Sequence, residues 1–309
     1  MIAMTSNGMF KTSSPVTFNL LARSVRLYLR SRLRGSTRLT YLLAQRFGSL
    51  QHVPVDIPGW APVYVDLRLP NAHSMLMESP YNGLWRELDE VEIMHRFVRA
   101  GDVAFDIGAN VGLHSIVLSR LVGPKGKLCV FEPNAELLHA LKFTIEQLGN
   151  ATLYPIALSN KDAESQLFIP PDDTVASLAD WTIASPTYNQ DGPSHVITCS
   201  ERRLDDLIEA GPLPNPDFIK CDVEGAELRV FEGGARTLSR VDAPIILFEA
   251  NECASRGFNI GVSAAKDFLA SLKGPHYRFY EIHEGGRLVA MQNVNPSFSN
   301  ILAVPESKC

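Results

Sequence analysis

The sequence predicts an α/β fold of the doubly wound, mostly parallel type, and three observations predict it. Val103 to Ser115 reads as strand, glycine turn and amphipathic helix in immediate succession. That alternation recurs as far as Glu252, the pattern from which parallel sheets with helices on both faces are built. Three of the apolar runs also end in an acid, at Glu132, Asp222 and Glu249. In such a sheet the carboxyl ends of the strands form the edge that binds ligands.

At 309 residues, 45% hydrophobic and 20% charged, the chain has material for one large domain with appendages. No apolar run approaches the ~18 residues of a membrane span, so no segment is expected to cross a bilayer. The cysteines, at 129, 199, 221, 253 and 309, are odd in number and show no C-x-x-C spacing. They read as free thiols in a reducing, cytoplasmic setting, with Cys129 and Cys221 acting as small hydrophobes in buried strands.

Residues 1–50 form a basic arm. They carry eight basic side chains and no acid, hence +8 in a chain of −5, which leaves −13 for the rest. Leu21, Val25, Leu29 and Leu33 recur every four residues, and Arg23, Arg26, Arg30 and Arg34 fall on another side of the same helix. Two readings follow. Residues 16–34 contact an anionic membrane peripherally, at the inner face, or an acidic partner; alternatively the leucine stripe packs on the protein body with the arginines in solvent. An organelle presequence shares this composition. Nucleic acid is not an expected partner, because the acidic remainder opposes a phosphate backbone.

Residues 51–100 read as a connecting and covering segment, rich in proline and turn residues up to Pro80 and helical from Leu84 to Val98. Tyr81, Asn82 and Trp85 are either core or a pocket wall.

The third unit runs from 101 to 309. Val103–Ile107 is an apolar strand broken only by Asp106. Gly108 and Gly112, with Asn110 between them, give backbone freedom where a ligand comes close to the main chain. Two glycines fall short of the dinucleotide fingerprint G-x-G-x-x-G, and an ordinary tight turn would carry them as well. The next strand, Lys127–Phe131, is more telling. It delivers Glu132 26 positions after Asp106, where a carboxylate accepts hydrogen bonds from both hydroxyls of a ribose. Glu132, followed by Pro133 and Asn134, therefore points to a nucleoside site.

A helix over Ala135–Leu148, a strand over Thr152–Ile156 and the turn Ala157-Leu158-Ser159 continue the alternation. Between Ala163 and Thr198 it relaxes into shorter pieces, Gln166 to Ile169 and His195 to Thr198, separated by a polar stretch around Asp172 to Pro193 that is either disordered or a substrate-recognition insertion beside the carboxyl edge. A helix over Arg203–Glu209 leads into the strand ending at Asp222, with Glu224 and Gly225 in the following turn, and a further strand ends at Glu249. One acid at a strand end is explained by helix capping, whereas three along one edge favour a site.

Phe105-Asp-Ile-Gly-Ala-Asn-Val-Gly112, Phe131-Glu-Pro-Asn134, Ala157-Leu-Ser159, Asp217-Phe-Ile-Lys-Cys-Asp-Val-Glu-Gly-Ala-Glu227, Ile245-Ile-Leu-Phe-Glu249 and Ser299–Pro305 occur in this order. Together they resemble the FkbM-type methyltransferase family, from about Gly101 to Pro305. Cys221 stands where an aliphatic residue is usual and Asn134 where proline is common, and the basic arm lies outside the match. The resemblance implies the class I fold, a seven-stranded sheet with its last strand reversed. It implies S-adenosylmethionine as cofactor and methyl transfer to a hydroxyl of a sugar, glycan or polyketide-type small molecule.

The implied cofactor-binding residues are Asp106, Gly108, Asn110, Gly112, Glu132, Pro133, Ala157, Leu158, Ser159 and Asp222. Glu132 would take the ribose, Asp106 the ammonium group directly or through water, the start of the following helix the carboxylate, and Ala157 to Ser159 the adenine border. An alcohol acceptor must also lose a proton. Asp222, Glu224 and Glu249 are the candidate bases, Asp222 first, with Lys220 tuning its neighbours. A variant with magnesium on Asp222, Glu249 and Asn251 is not favoured, and no metal site is assigned. His114 and His139 are further candidate bases, although a core or solvated histidine is the more ordinary reading. Two other classes compete: a catalytically silent S-adenosylmethionine-binding module at a membrane, and a nicotinamide-dependent oxidoreductase, for which the glycine loop is incomplete.

Overall fold

The computed structural model describes residues 20–31, 33–57, 59–77, 88–182, 192–295 and 297–309. Tyr81, Asn82 and Trp85 lie outside the described residues. The chain opens with helices α1 (Leu20–Arg30) and α2 (Ser36–Arg46), the hairpin β1 (Val53–Val55) and β2 (Val63–Val65), then α3 (Pro70–Met77) and α4 (Leu88–Phe97). Next come β3 (Val103–Ile107), α5 (Leu113–Val122), β4 (Lys127–Phe131), α6 (Ala135–Glu146) and β5 (Ala151–Tyr154). The short β6 (Ala157–Leu158) and the longer β7 (Ala163–Ile169) and β8 (His195–Arg202) follow. The chain continues through α7 (Leu204–Glu209), β9 (Phe218–Cys221), α8 (Glu227–Gly233), α9 (Ala235–Leu238), β10 (Ile245–Asn251), α10 (Glu252–Gly257) and α11 (Ala264–Ser271). It closes with β11 (Tyr277–His283), β12 (Arg287–Ala290) and β13 (Phe298–Pro305).

The main sheet has the order β12-β11-β13-β10-β9-β3-β4-β5. Strands β5, β4, β3, β9 and β10 pair in parallel, and β13 inserts antiparallel between β10 and β11. These are the seven strands expected, with the last in sequence reversed. The edge strand β12, an antiparallel partner of β11, adds an eighth. From β3 the chain runs outward to β5 and then returns to the other side of β3 as β9. That reversal is a topological switch point, and it opens a crevice at the carboxyl ends of β3 and β9.

Alternation along the strands feeds a core on each face of the sheet. Ala104, Leu128, Val130 and Leu247 point to one core, and Phe105, Ile107, Phe131, Ile219 and Phe248 to the other. The first core also contains Val25, Leu29, Ala44, Leu50, Val53 and Val65. The segment before β3 is thus built into the domain, with the N–H of Tyr64 donating to Thr144 Oγ1 on α6 at 2.9 Å. Val25 and Leu29 from the predicted stripe are buried here, whereas Leu33 stays 59% exposed.

The two short pieces expected between Ala163 and Thr198 lie within the longer β7 and β8, which with β6 form a second, three-stranded sheet, β8 pairing with β6 in parallel and with β7 antiparallel. Its outer face is in solvent, which is why the polar alternation of Ala163-Glu-Ser-Gln obscured it. No helix among the described residues is long and apolar enough to cross a membrane.

Candidate active site

The crevice holds a cavity of about 370 Å3, and Gly108, Asn110, Glu132, Asp222, Glu224 and Glu249 line it. The glycines of the turn after β3 serve contacts within the protein. Gly108 has φ +80°, and a Cβ there would lie 1.8 Å from the carbonyl oxygen of Asp222. Gly112, at φ +89°, caps α5, and its Cβ would press on Thr144 and Leu141 of α6 at 3.0 and 3.1 Å. Gly112 thus packs helix on helix, between Val111 and Leu113, which line the cavity. No side chain caps the first turn of α5, and Leu113 and His114 at its start line the cavity.

Glu132, at the end of β4, is 6% exposed. Its two oxygens accept the backbone N–H groups of Asn110 and Asn134, each at 2.8 Å, so the carboxylate is held rigidly between the turn after β3 and the start of α6. Burial pushes its pKa up to about 7, against the two amides, which pull it down. Each oxygen keeps a lone pair for a further donor. Pro133, Ala157 and Leu158 continue the wall from there.

On the other side of β3 the register of β3 and β9 sets Asp106 beside Lys220. Lys220 Nζ lies 3.9 Å from Asp106 Oδ1, 3.3 Å from Asp222 Oδ2 and 3.4 Å from the carbonyl oxygen of Gly108. Asp106 is fully buried, accepts a hydrogen bond from Ser115 Oγ at 2.6 Å and does not line the cavity. Its place is beneath the floor, where it anchors Lys220 and α5. Asp222, a third exposed, presents its carboxylate to the cavity.

Glu224 sits at φ +53° in the turn after β9, and Glu249 lies in the carboxyl half of β10, which runs on two residues past the expected end, to Asn251. Burial, reinforced by the charge of Asp222, holds both well above the ordinary carboxylate range. Glu227 is fully recessed beneath them, and burial pushes it up to about 7. It accepts the N–H groups of Val223 and Gly225 at 3.0 and 3.3 Å, which fixes the turn that carries Glu224.

Asn251 is committed elsewhere. Its Oδ1 caps α10 through the N–H groups of Cys253 and Ala254, and its amide donates to Glu249 Oε1 at 3.2 Å. Among the described residues no group of three or more His, Cys, Asp or Glu side chains is placed to hold a metal ion.

Ser159 is fully buried outside the cavity, and its N–H donates to the carbonyl of Arg202 at 2.9 Å. It secures β6 to β8, so only Ala157 and Leu158 of that turn face the cavity. His139 does not line the cavity either and stands edge-on to Phe143 and His52. His114 does line it, with Nε2 3.1 Å from Glu90 Oε2.

Several lining residues were not singled out from the sequence. Asp173, Thr174 and Ser177 come from the polar insertion, and Asn71 and Met75 from α3. Asn110 Nδ2 donates to the Thr174 carbonyl at 3.4 Å, and the N–H of Asn71 donates to Asp173 at 3.1 Å, so the insertion is tied over the crevice. Burial pushes Asp173 up to about 6. The one legible signal is Asp172-Asp-Thr174, a turn in which Asp172 accepts the N–H of Thr174.

A rigid acid at the end of the second parallel strand, an uncapped helix start and an acidic wall beyond it fit a nucleoside with a carboxylate and a cationic group. The sheet order is the one expected of a class I methyltransferase fold. A family profile described as "Methyltransferase FkbM domain" matches residues 106–280, more than half of the chain. The chain belongs to the FkbM methyltransferase family.

Among curated relatives, hexuronic acid methyltransferase AglP of Haloferax volcanii is 25% identical over 173 residues, covering 54% of this chain and 66% of that protein. The 2-O-methyltransferase NoeI of Sinorhizobium fredii is 27% identical over 161 residues, covering 48% of this chain and 64% of that protein. The matches thus span just under two thirds of those relatives. Family membership leaves the nicotinamide reading without support, and neither relative's name speaks for a catalytically silent module.

Proposed function

We propose that this protein transfers the methyl group of S-adenosylmethionine to a hydroxyl oxygen of a sugar or glycan. The observation that carries the reading is one cavity holding both Glu132, on its two backbone amides, and the carboxylates Asp222, Glu224 and Glu249 across β3. In this reading Glu132 accepts the two ribose hydroxyls, Ala157 and Leu158 flank the adenine, and the first turn of α5 receives the carboxylate. The acidic wall complements the cofactor's positive charge.

When bound, S-adenosylmethionine supplies a methyl group already activated by its sulfonium. The chain's work is to hold the acceptor oxygen in line, a positioning effect that can supply ~7–11 kcal/mol. The hydroxyl's proton passes to the carboxylate cluster. Asp222 is first in contact, and Glu224 and Glu249, whose proton affinities burial raises, stand beside it. The relative named for methylating a hexuronic acid supports a sugar acceptor, and the one named as a 2-O-methyltransferase supports transfer to oxygen.

The test is transfer from methyl-labelled S-adenosylmethionine to a panel of uronic acids and neutral oligosaccharides. Label in an alkali-stable ether is expected. Alkali-labile label would mean an ester on a carboxylate acceptor, and tight cofactor binding without transfer to any acceptor would revive the silent module.

A further inference from the structure

The basic arm is not used by this chemistry, and the side of it that faces outward differs from the stripe expected. Ala22, Val25 and Leu29 pack α1 against the body, while Leu20 and Leu27 stand 82% and 70% exposed. Arg23 and Arg30, also exposed, lie three and ten residues after Leu20 on that same outer face. On the adjoining α2, Leu39, Leu42 and Arg46 follow the same rule at spacings of three and four, all exposed. Leu33 and Arg34 continue the pattern between the helices. Among the described residues, seven of the eleven exposed large hydrophobics fall between Leu20 and Phe47.

We propose that the outer face of α1 and α2 docks the protein on an anionic lipid bilayer, with the leucines below the headgroups and the arginines at the phosphates. This does not rest on the methyl-transfer reading. Charge complementarity selects the occupant. The face lies in a segment of +8 without a single acid, on a body of −13 that an anionic surface holds at a distance, so the molecule is oriented as well as bound. Protruding leucines interleaved with arginines match the two layers of a bilayer surface, apolar beneath charged. An acidic protein or nucleic acid would leave those leucines unused.

The experiment is co-sedimentation of the full chain with vesicles of phosphatidylcholine alone or mixed equally with phosphatidylglycerol. Binding to the mixed vesicles only, weakened by high salt, is expected. Each arginine near the surface is worth roughly fivefold in partitioning, so Arg23→Gln with Arg30→Gln should weaken binding by about 25-fold. Leu27→Ser with Leu42→Ser should weaken it also in low salt. These side chains are in solvent, and thermal melting checks that the variants fold. Absence of vesicle binding, or equal binding by the variants, overturns the proposal. So does a leucine variant that turns a dimer into a monomer on light scattering without any lipid effect, since the face would then join two copies of this chain.

Discussion

Replacing Glu132 separates its role in the fold from its role at the site. Glu132→Ala removes the acceptor of two ribose hydroxyls. Hydrogen bonds to a charged group are worth about 1.5–3 kcal/mol each, so losing both lowers affinity by about 3 kcal/mol or more, on the order of a hundredfold. The same change strands the N–H groups of Asn110 and Asn134, at roughly 1–3 kcal/mol each.

Glu132→Gln keeps one acceptor and removes a charge that the fold disfavours. The group's pKa rises from 4.5 to about 7 on folding, so the folded state binds the proton more tightly. Stability from this group is therefore full below 4.5 and lost as pH climbs through about 7, a difference of about 3 kcal/mol. Ribose donors prefer the carboxylate, so cofactor affinity runs the other way and rises with pH up to about 7. Calorimetric titration with S-adenosylhomocysteine on either side of pH 7 should show that rise in the wild type and a flat, weak profile in Glu132→Gln. Affinity in Glu132→Ala within threefold of the wild type would refute the assignment.

Other substitutions test the frame around it. Gly108→Ala sets a Cβ against the Asp222 carbonyl at positive φ, and should cost about 3 kcal/mol or more; an unchanged melting temperature would contradict the close approach of the two turns. Lys220→Met leaves the buried carboxylate of Asp106 without its cation, and about 3–5 kcal/mol should be missing from chemical denaturation at neutral pH; a variant as stable as the wild type would show that this pair does not hold the floor. Glu227, raised to about 7 and fully buried, should also make the protein less stable as pH rises from 4.5 to 7; denaturation midpoints across that window should be flatter in Glu227→Gln, and an equal slope would assign the effect elsewhere.

What the sequence made legible were features that local physics decides. Strands buried on both faces read as apolar runs, and the acids at 132, 222 and 249, at or near their carboxyl ends, fall at one edge because parallel strands end on the same side. What it hid were choices made by neighbours distant in the chain. Gly112 reads like a ligand-approach glycine, yet its conformation answers to Leu141 and Thr144 on another helix. Asp106 reads as a ligand, but pairing with β9 sets it against Lys220 below the floor. In the insertion, the turn at Asp172 is visible, whereas its position above the glycine turn depends on a bond from Asn110, 64 residues away. The arm shows the same limit: its periodicity specifies a helix with two unlike sides, and only packing decides that Val25 and Leu29 go inward while Leu20 and Leu27 stay out.

The most direct test of the account is a crystal structure of the protein bound to S-adenosylhomocysteine. Both ribose hydroxyls are expected on Glu132, the ligand's carboxylate at the start of α5, and its sulfur directed toward Asp222 and Glu249. A ligand seated elsewhere, or one whose sulfur faces away from those carboxylates, would contradict it.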